Sequence, residues 1–232
     1  MKGRRIYILL TVIAATMAVL AASCNDDDEY FQYGDFRFDM VTYVGHDEAM
    51  GGDAYINYPT GDIQPVTLID PQSAVSSSSA SLKSGSRVLL NYIIDSHNGD
   101  GSLSVTPRGY TRAISDTLRY IPSLSSMAMD SISLNSIWRT SQYINIYCRV
   151  KYTYTARQMA LVADYGTMHD DTVHCYLMHN MMGVPAYFWR RCYMSFDISS
   201  VWNLQSCNTV RLHLNDVAYP ERKYYDFTKT QN

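Results

Sequence analysis

The chain has 232 residues, of which 47% are hydrophobic and 18% charged, with a formal net charge of −3. This composition excludes a disordered chain and a collagen-like one. Its 19 basic residues against 22 acidic ones disfavour a nucleic-acid-binding protein, which needs clustered Lys and Arg for phosphate contacts. Because 20 Tyr and few Lys or Glu favour pleated sheets over helices, we expect an all-β protein.

The first 23 residues have the three parts of a secretory signal peptide. A basic start at residues 1–5 precedes an apolar run at residues 6–20 and three small residues, 21–23. The apolar run is shorter than the ~20 residues that a membrane-spanning helix needs. We therefore predict a cleaved signal peptide over residues 1–23 and no retained membrane span.

Cys24 directly follows the small residues, and this arrangement resembles a bacterial lipobox. One difference is that Ala21 stands where many lipoboxes have Leu. The resemblance implies cleavage before Cys24, lipidation of its thiol and acylation of the new N-terminus, which palmitate labelling would detect. Ordinary secretion is the alternative. Since each buried CH2 contributes about 0.8 kcal/mol, the lipid chains would hold the protein to a membrane without a helix.

An acidic run follows the lipobox and consists of Asp26, Asp27, Asp28 and Glu29. The run resembles the surface-export signal of lipoproteins in certain gut and oral Gram-negative bacteria. It also fits a solvated tether, because neighbouring like charges repel and cannot pack. We predict a tether over residues 24–34 and a lipid-anchored protein of the outer membrane at the cell surface, with the periplasmic face as the alternative.

Removal of the signal peptide makes the protein more acidic. The segment 1–23 contains three basic residues and no acidic one, so the net charge changes from −3 to −6. This charge disfavours nucleic acid and an anionic membrane surface as partners. The predicted contact with the membrane is therefore the N-terminal lipid anchor alone.

Residues 35–120 are predicted to form a small barrel of about five short strands. Phe36, Phe38 and Met40 alternate with charged residues, as in a strand with one buried face. Turn-like residues follow at Gly45–Gly52, and a Ser-rich loop is predicted between residues 70 and 86. The remaining strands are expected at Tyr55–Tyr58, Val66–Ile69, Arg87–Asp95 and, after a reversal at His97–Gly101, from Leu103 onward.

Residues 121–232 are predicted to form an antiparallel β-sandwich, with a boundary at Pro122 and the serines after it. The clearest strand is Tyr143–Tyr152, in which every second residue is apolar. A short helix is expected at Ile198–Trp202. Further strands are expected at Ile132–Ile137, Met159–Ala163, Val173–Leu177, Tyr187–Phe196, Val210–Leu214 and Lys223–Phe227.

The order of these elements resembles the NigD-like lipoproteins. The resemblance is carried by Cys24 with acids after it, the strand sequence SGSRVLLNYII, and the C-terminal segments FDISSVW and TVRLHLN. It implies an OB-like N-terminal domain, a C-terminal β-sandwich domain and, through the founding member, a link with bacteriocin immunity. The family offers no catalytic residue, and Cys24 is the only position to which a role is transferred.

The sequence contains no motif of an enzyme or a cofactor site. A GxSxG elbow and a Gly-rich phosphate loop are absent. His169, His174 and His179 are five residues apart, and this spacing places strand side chains on opposite faces. We therefore predict structural histidines and a non-enzymatic protein, with no catalytic residue, no metal site and no cofactor.

Four further cysteines admit two interpretations. An envelope location permits disulfides, and Cys148 and Cys175 lie on predicted core faces, where a bridge between the two sheets is conceivable. Alternatively, the cysteines are buried free thiols, which behave as small hydrophobic side chains. The four positions are Cys148, Cys175, Cys192 and Cys207.

Aromatic side chains on the polar side of the sandwich strands form the candidate binding surface. Such side chains bind protein partners or stack on sugar rings, although Tyr is also a common cross-strand neighbour on exposed sheets. We expect a protein that binds an envelope protein or a bacteriocin. A glycan-binding module and a structural, adhesin-like component are the alternatives. The candidates are Tyr143, Tyr147, Tyr176, Tyr187, Trp189 and Tyr193, with Arg149 and Arg191 nearby.

Overall fold

The computed structural model describes residues 36–48, 51–60, 63–73, 82–155 and 157–229. In these residues the chain forms fourteen strands, one helical turn and one 3-10 turn. None of the helices in these ranges is long and apolar enough to cross a membrane. The predicted signal peptide, the lipidation site Cys24 and the acidic run Asp26–Glu29 lie outside the described residues.

The first five strands close into a barrel of order β1-β2-β3-β5-β4. Neighbouring strands are antiparallel except β3 and β5, which run parallel. Alternate side chains fill the barrel, among them Tyr55, Leu68 and Leu90. The closed five-stranded barrel confirms the predicted OB-like fold. The strands are β1 (Phe36–Asp47), β2 (Gly52–Asn57), β3 (Val66–Asp70), β4 (Arg87–His97) and β5 (Leu103–Arg112).

Strand β1 is longer than predicted. Gly45 belongs to the strand and not to a turn, because a bulge between Tyr43 and Gly45 shifts the register and lets pairing with β2 continue to Asp47. Gly45 has a φ of 137°, a conformation that residues with a Cβ rarely adopt. The reversal therefore begins after Asp47.

The later strands form two packed sheets, which confirms the predicted β-sandwich. One sheet has the order β6-β12-β9-β8 and the other β14-β13-β11-β10-β7. Their facing sides bury one core, which includes Ile146, Val173 and Phe196. The elements are β6 (Ile114–Thr117), β7 (Arg119–Ile121), β8 (Ile132–Thr140), β9 (Tyr143–Tyr152), β10 (Gln158–Asp164), β11 (Thr172–Asn180), β12 (Phe188–Asp197), α1 (Ser199–Trp202), β13 (Thr209–His213) and β14 (Tyr224–Thr228).

Both sheets are mixed, whereas the sequence predicted antiparallel ones. β6 runs parallel to β12, β7 parallel to β10, and β13 parallel to β11. Two of these pairings arise because the chain leaving the barrel contributes one edge strand to each sheet, with Leu118 buried between them. β6 and β7 precede the predicted boundary at Pro122 yet pair with sandwich strands, and the division of the chain into two domains stays a prediction.

Arg87, the first residue of β4, joins the barrel to the sandwich. Its guanidinium donates to Thr42 Oγ1 of the barrel at 3.0 Å. It also donates to Ser195 Oγ at 2.9 Å and Asn145 Oδ1 at 3.3 Å on the four-stranded sheet. Arg87 is 3% exposed, and burial lowers its pKa to about 10. Within the described residues these contacts use neutral oxygens, and Arg87 forms no ion pair with a carboxylate.

Candidate functional site

The outer face of strands β9 and β12 carries rows of aromatic and cationic side chains. Successive residues of a strand point to opposite faces, so every second residue contributes to this surface. The rings of Tyr147 and Tyr193 stack with their centroids 4.7 Å apart, and Lys151 Nζ lies 5.8 Å from the centre of the Trp189 ring. The register places Trp189 beside Lys151, Arg191 beside Arg149, and Tyr193 beside Tyr147.

Tyr143 does not belong to this exposed surface, which corrects its prediction as a binding residue. The Arg87 guanidinium lies 4.1 Å from the centre of the Tyr143 ring, and the ring of Tyr58 lies 5.2 Å away. Asn145 on the same face is fully buried. Both residues are covered because the barrel packs on this end of the sheet. Strand alternation identifies the face correctly but does not show which part another element covers.

A second group of rings lies where β9 ends and β12 begins. We call Tyr152, Tyr154, Tyr187 and Phe188 the aromatic cluster. The centroid of the Tyr152 ring lies 5.5 Å from that of Tyr154 and 5.0 Å from that of Phe188, and the Tyr154 and Tyr187 centroids are 5.4 Å apart. Tyr154 is 78% and Tyr187 63% exposed. The sequence predicted Tyr187 but not Tyr154, which lies in the loop after β9 and outside any alternating pattern.

A groove of about 510 Å³ lies beside the aromatic cluster. Its wall contains Arg157, Arg190 and Arg191 together with Arg112, and none of its lining residues is acidic. The Arg190 guanidinium lies 5.3 Å from the centre of the Tyr152 ring. Within the described residues, the buried Nη1 atom of Arg157 has no hydrogen-bond partner. We call this feature the arginine groove. Its electrostatics favour an anionic ligand, although the chain as a whole is acidic.

His174, His179 and His213 contact other groups of the folded protein. His174 and His179 occupy opposite faces of β11, as the predicted alternation requires. His174 Nδ1 is 3.2 Å from His213 Nε2, and the ring of Tyr176 stacks on His213 at 4.5 Å. His179 is fully buried, and its Nδ1–H donates to the Asp130 carbonyl oxygen at 3.0 Å. In the described ranges no group of three or more His, Cys, Asp or Glu is placed to hold a metal ion.

Acidification is expected to destabilise the fold through His179 and His213. Burial lowers the pKa of both side chains below the ordinary value of 6.5. Nearby positive charges act in the same direction, namely Arg157 for His179, and His174 and Arg211 for His213. Below about pH 6.5 the unfolded chain therefore binds protons that the folded protein does not, and the free energy of unfolding decreases until the pH passes the folded pKa values.

Urea unfolding from about pH 7 to about pH 5 measures this effect. The wild-type protein should lose more stability over this range than the double variant His179→Asn/His213→Gln, whose amides do not titrate. His97→Gln changes an exposed histidine and serves as the control. Equal pH dependence in the wild type and the double variant would show that His179 and His213 do not control acid stability.

The four described cysteines are free thiols. Cys148 and Cys192 face each other across β9 and β12, and their mutual hydrogen bond, together with burial, raises the pKa of Cys148. The conceivable bridge between Cys148 and Cys175 is not formed, because the neighbour of Cys148 is a thiol of its own sheet. Cys175 and Cys207 are buried as well, so these side chains pack as small hydrophobic groups.

Comparison with known proteins identifies the sandwich. The family described as the NigD-like C-terminal beta sandwich domain matches residues 119–228, which extend from β7 to β14. No curated protein matches the chain. Among solved structures, a NigD-like immunity protein from Bacteroides caccae is similar, with 14% identity and a TM-score of 0.53 over 87% of this chain and 100% of that one.

Two further solved structures share the fold. A protein of unknown function from Bacteroides vulgatus has 13% identity and a TM-score of 0.64 over 85% of this chain and 91% of that one. A candidate lipoprotein from Bacteroides fragilis has 11% identity and a TM-score of 0.59 over 84% of this chain and 99% of that one. The family match confirms the resemblance predicted from the sequence: residues 119–228 of this chain are a domain of the NigD-like C-terminal β-sandwich family.

Proposed function

We propose that the chain is a non-enzymatic lipoprotein of the bacterial outer membrane that binds a protein partner and gives immunity to a bacteriocin. The NigD-like domain at residues 119–228 supports this role, as does the shared fold with the NigD-like immunity protein from Bacteroides caccae. The sequence pattern around Cys24 supports the lipid anchor, and the acidic run Asp26–Glu29 supports display at the cell surface.

The aromatic cluster is the observation that carries the proposal. Its members form one contiguous surface, and Tyr154, Tyr187 and Phe188 are each more than half exposed. Side chains that are this exposed contribute little to the hydrophobic core, while contiguous exposed apolar surface marks interaction sites. Tyr, Trp and Arg are the residues that dominate the binding energy of protein interfaces. Trp189 lies next to Phe188 on the opposite face of β12, beside Lys151.

A deletion strain tests the immunity role. Loss of the gene should make the strain sensitive to a bacteriocin from its own or a neighbouring strain, and the wild-type gene should restore resistance. Tyr187→Ser/Trp189→Ser should fail to restore it, because the interface loses two large contact surfaces. Cys24→Ala should also fail, because the protein is no longer held at the membrane.

The variant Tyr219→Ser is the matched control. Tyr219 is an exposed tyrosine outside the aromatic cluster, so this variant should restore resistance fully. Unchanged sensitivity of the deletion strain across a broad bacteriocin panel would refute the immunity role. Full protection by Tyr187→Ser/Trp189→Ser would refute the role of the aromatic surface.

Glycan binding is the second candidate, because the exposed rings of Tyr187 and Trp189 offer flat apolar faces on which sugar rings stack. Glycan arrays and calorimetry distinguish it from protein binding. A glycan that binds the wild-type protein but not Trp189→Ser would favour this candidate. Self-association of the purified protein, measured by ultracentrifugation, would instead favour a structural, adhesin-like component.

A further inference from the structure

We infer that the arginine groove and the unpaired edge of β12 bind an acidic, extended segment of the protein partner. This inference rests on the proposed function as a partner-binding protein, and it names the chemistry of the segment that is bound. Backbone pairing would hold the segment along β12, and the arginines would bind its carboxylates.

The edge of β12 is only partly paired. β9 pairs with the whole of Phe188–Asp197 on one side, whereas β6 pairs on the other side with Met194–Asp197 alone. In the part of the chain that the structure describes, no strand pairs with residues 188–193 on the β6 side. An unpaired edge presents backbone N–H and C=O groups that a second extended chain can bond, as in β-strand addition.

The arginine groove lies along this unpaired edge. Its lining includes Arg190–Tyr193 of β12 together with Thr111 and Arg112, which end β5, and Ile114, which begins β6. The groove therefore occupies the position where β6 would lie if its pairing continued. A segment placed there would extend the sheet and cover the groove at the same time.

The charges of the groove select an acidic segment. Among the residues that the structure describes, Arg157, Arg190 and Arg191 form no ion pair with a carboxylate. Arg190 faces the Tyr152 ring. In the part of the chain that the structure describes, the buried Arg157 Nη1 has no hydrogen-bond partner. A partly buried cation without a counter-ion is unfavourable, and a carboxylate that binds a guanidinium through two parallel hydrogen bonds relieves this cost.

The positions of Arg190 and Arg191 define the pattern of acids. Consecutive residues of a strand point to opposite faces, so these two side chains lie on opposite faces of β12. A paired segment with acidic residues at consecutive positions would therefore present one carboxylate to each face. The combination of a free backbone edge with cations on both faces favours a peptide over an acidic sugar, which lacks the regular N–H and C=O groups of a strand.

A blocked, fluorescein-labelled peptide of sequence Thr-Glu-Glu-Val-Glu-Thr provides the probe. Fluorescence anisotropy with the full mature protein in detergent should show saturable binding. The peptide with Gln in place of Glu, and the same acidic peptide with alternate backbone amides methylated, should each bind at least about tenfold more weakly. The first change removes the charge, and the second removes the hydrogen bonds of strand pairing.

Variants of the protein locate the binding site. Arg191→Gln should weaken binding of the acidic peptide by about tenfold, and Arg191→Lys should recover part of the affinity because the charge remains. Arg108→Gln removes the same charge at an exposed position outside the groove lining and should leave binding unchanged. Circular dichroism melting confirms that each variant is folded before its affinity is compared.

Several outcomes would overturn the inference. Equal affinity for the Glu and Gln peptides would exclude carboxylate recognition, and equal affinity for the methylated peptide would exclude strand pairing. Tighter binding of polygalacturonate at the same arginines would identify an acidic glycan as the ligand. If Arg191→Gln loses peptide binding but still restores full bacteriocin resistance, the groove is not the site for the partner. If the protein binds the peptide but the deletion strain keeps its resistance, the immunity role alone is rejected.

Discussion

Replacement of Arg87 by alanine is expected to lower the free energy of unfolding by about 3 kcal/mol. The change removes the hydrogen bonds to Thr42, Ser195 and Asn145 and opens a cavity under the Tyr143 ring. The acceptor oxygens left behind stay buried without the guanidinium donor. Their desolvation penalty exceeds the net stabilisation that the hydrogen bonds give to the folded protein. Because these contacts cross from the barrel to the sandwich, the variant should also uncouple the unfolding of the two parts.

Tryptophan fluorescence makes this uncoupling measurable. The protein has three tryptophans, and Trp138, Trp189 and Trp202 all belong to the sandwich, so their fluorescence reports on the sandwich while far-UV circular dichroism reports on both parts. In urea the two signals should change together in the wild type and separately in Arg87→Ala. Arg108→Ala, at an exposed position, is the control. Coincident transitions at the wild-type urea concentration would show that Arg87 does not couple the two parts.

Substitution of Gly52 by alanine is expected to destabilise the barrel by about 2 to 3 kcal/mol. A Cβ atom at this position would lie 1.9 Å from the carbonyl oxygen of Asp70 and 3.0 Å from the Cα atom of Pro71. Both are backbone atoms, so no side-chain rotation relieves the overlap. β2 and β3 would have to separate where Asp53 pairs with Asp70.

Urea unfolding followed by circular dichroism, with hydrogen exchange of the β2 and β3 amides, measures the effect of Gly52→Ala. The exchange should accelerate in these two strands first. Gly99→Ala is the matched control, because a Cβ atom at Gly99 would meet nothing within 4 Å. If both variants unfold at the same urea concentration, the close approach of β2 and β3 does not limit the stability of the barrel.

The sequence was informative wherever one face of a strand is buried and the other exposed. β9 has the predicted bounds, Tyr143–Tyr152, because the apolar residues that face the core stand at every second position and are separated by polar residues and tyrosines. β6 and β7 were not predicted, since ISDT and RYI are short edge strands without a buried face. Their place in the sheets depends on distant partners and leaves no local pattern.

The candidate site was also predictable only where its residues lie on strands with alternating faces. Tyr147, Trp189 and Tyr193 were identified from alternation, and they lie on the outer face as predicted. The predicted exposure of Tyr143 was wrong because the barrel packs on this end of the sheet. The residue that contacts its ring, Arg87, is far away in sequence. The arginine groove had no local signal, because it exists only where β6 stops pairing with β12.

The segment that carries β6 and β7 has a consequence for the order of folding. Ser115 pairs with Ser195 and Tyr120 with Ala163, so neither sheet is complete until much later residues have been made and have returned to this segment. Contacts between residues so distant in sequence form slowly. The barrel contains all its own strands and can close early. A chain shortened at its C-terminus before β12 would leave β6 without its partner strand and the four-stranded sheet incomplete.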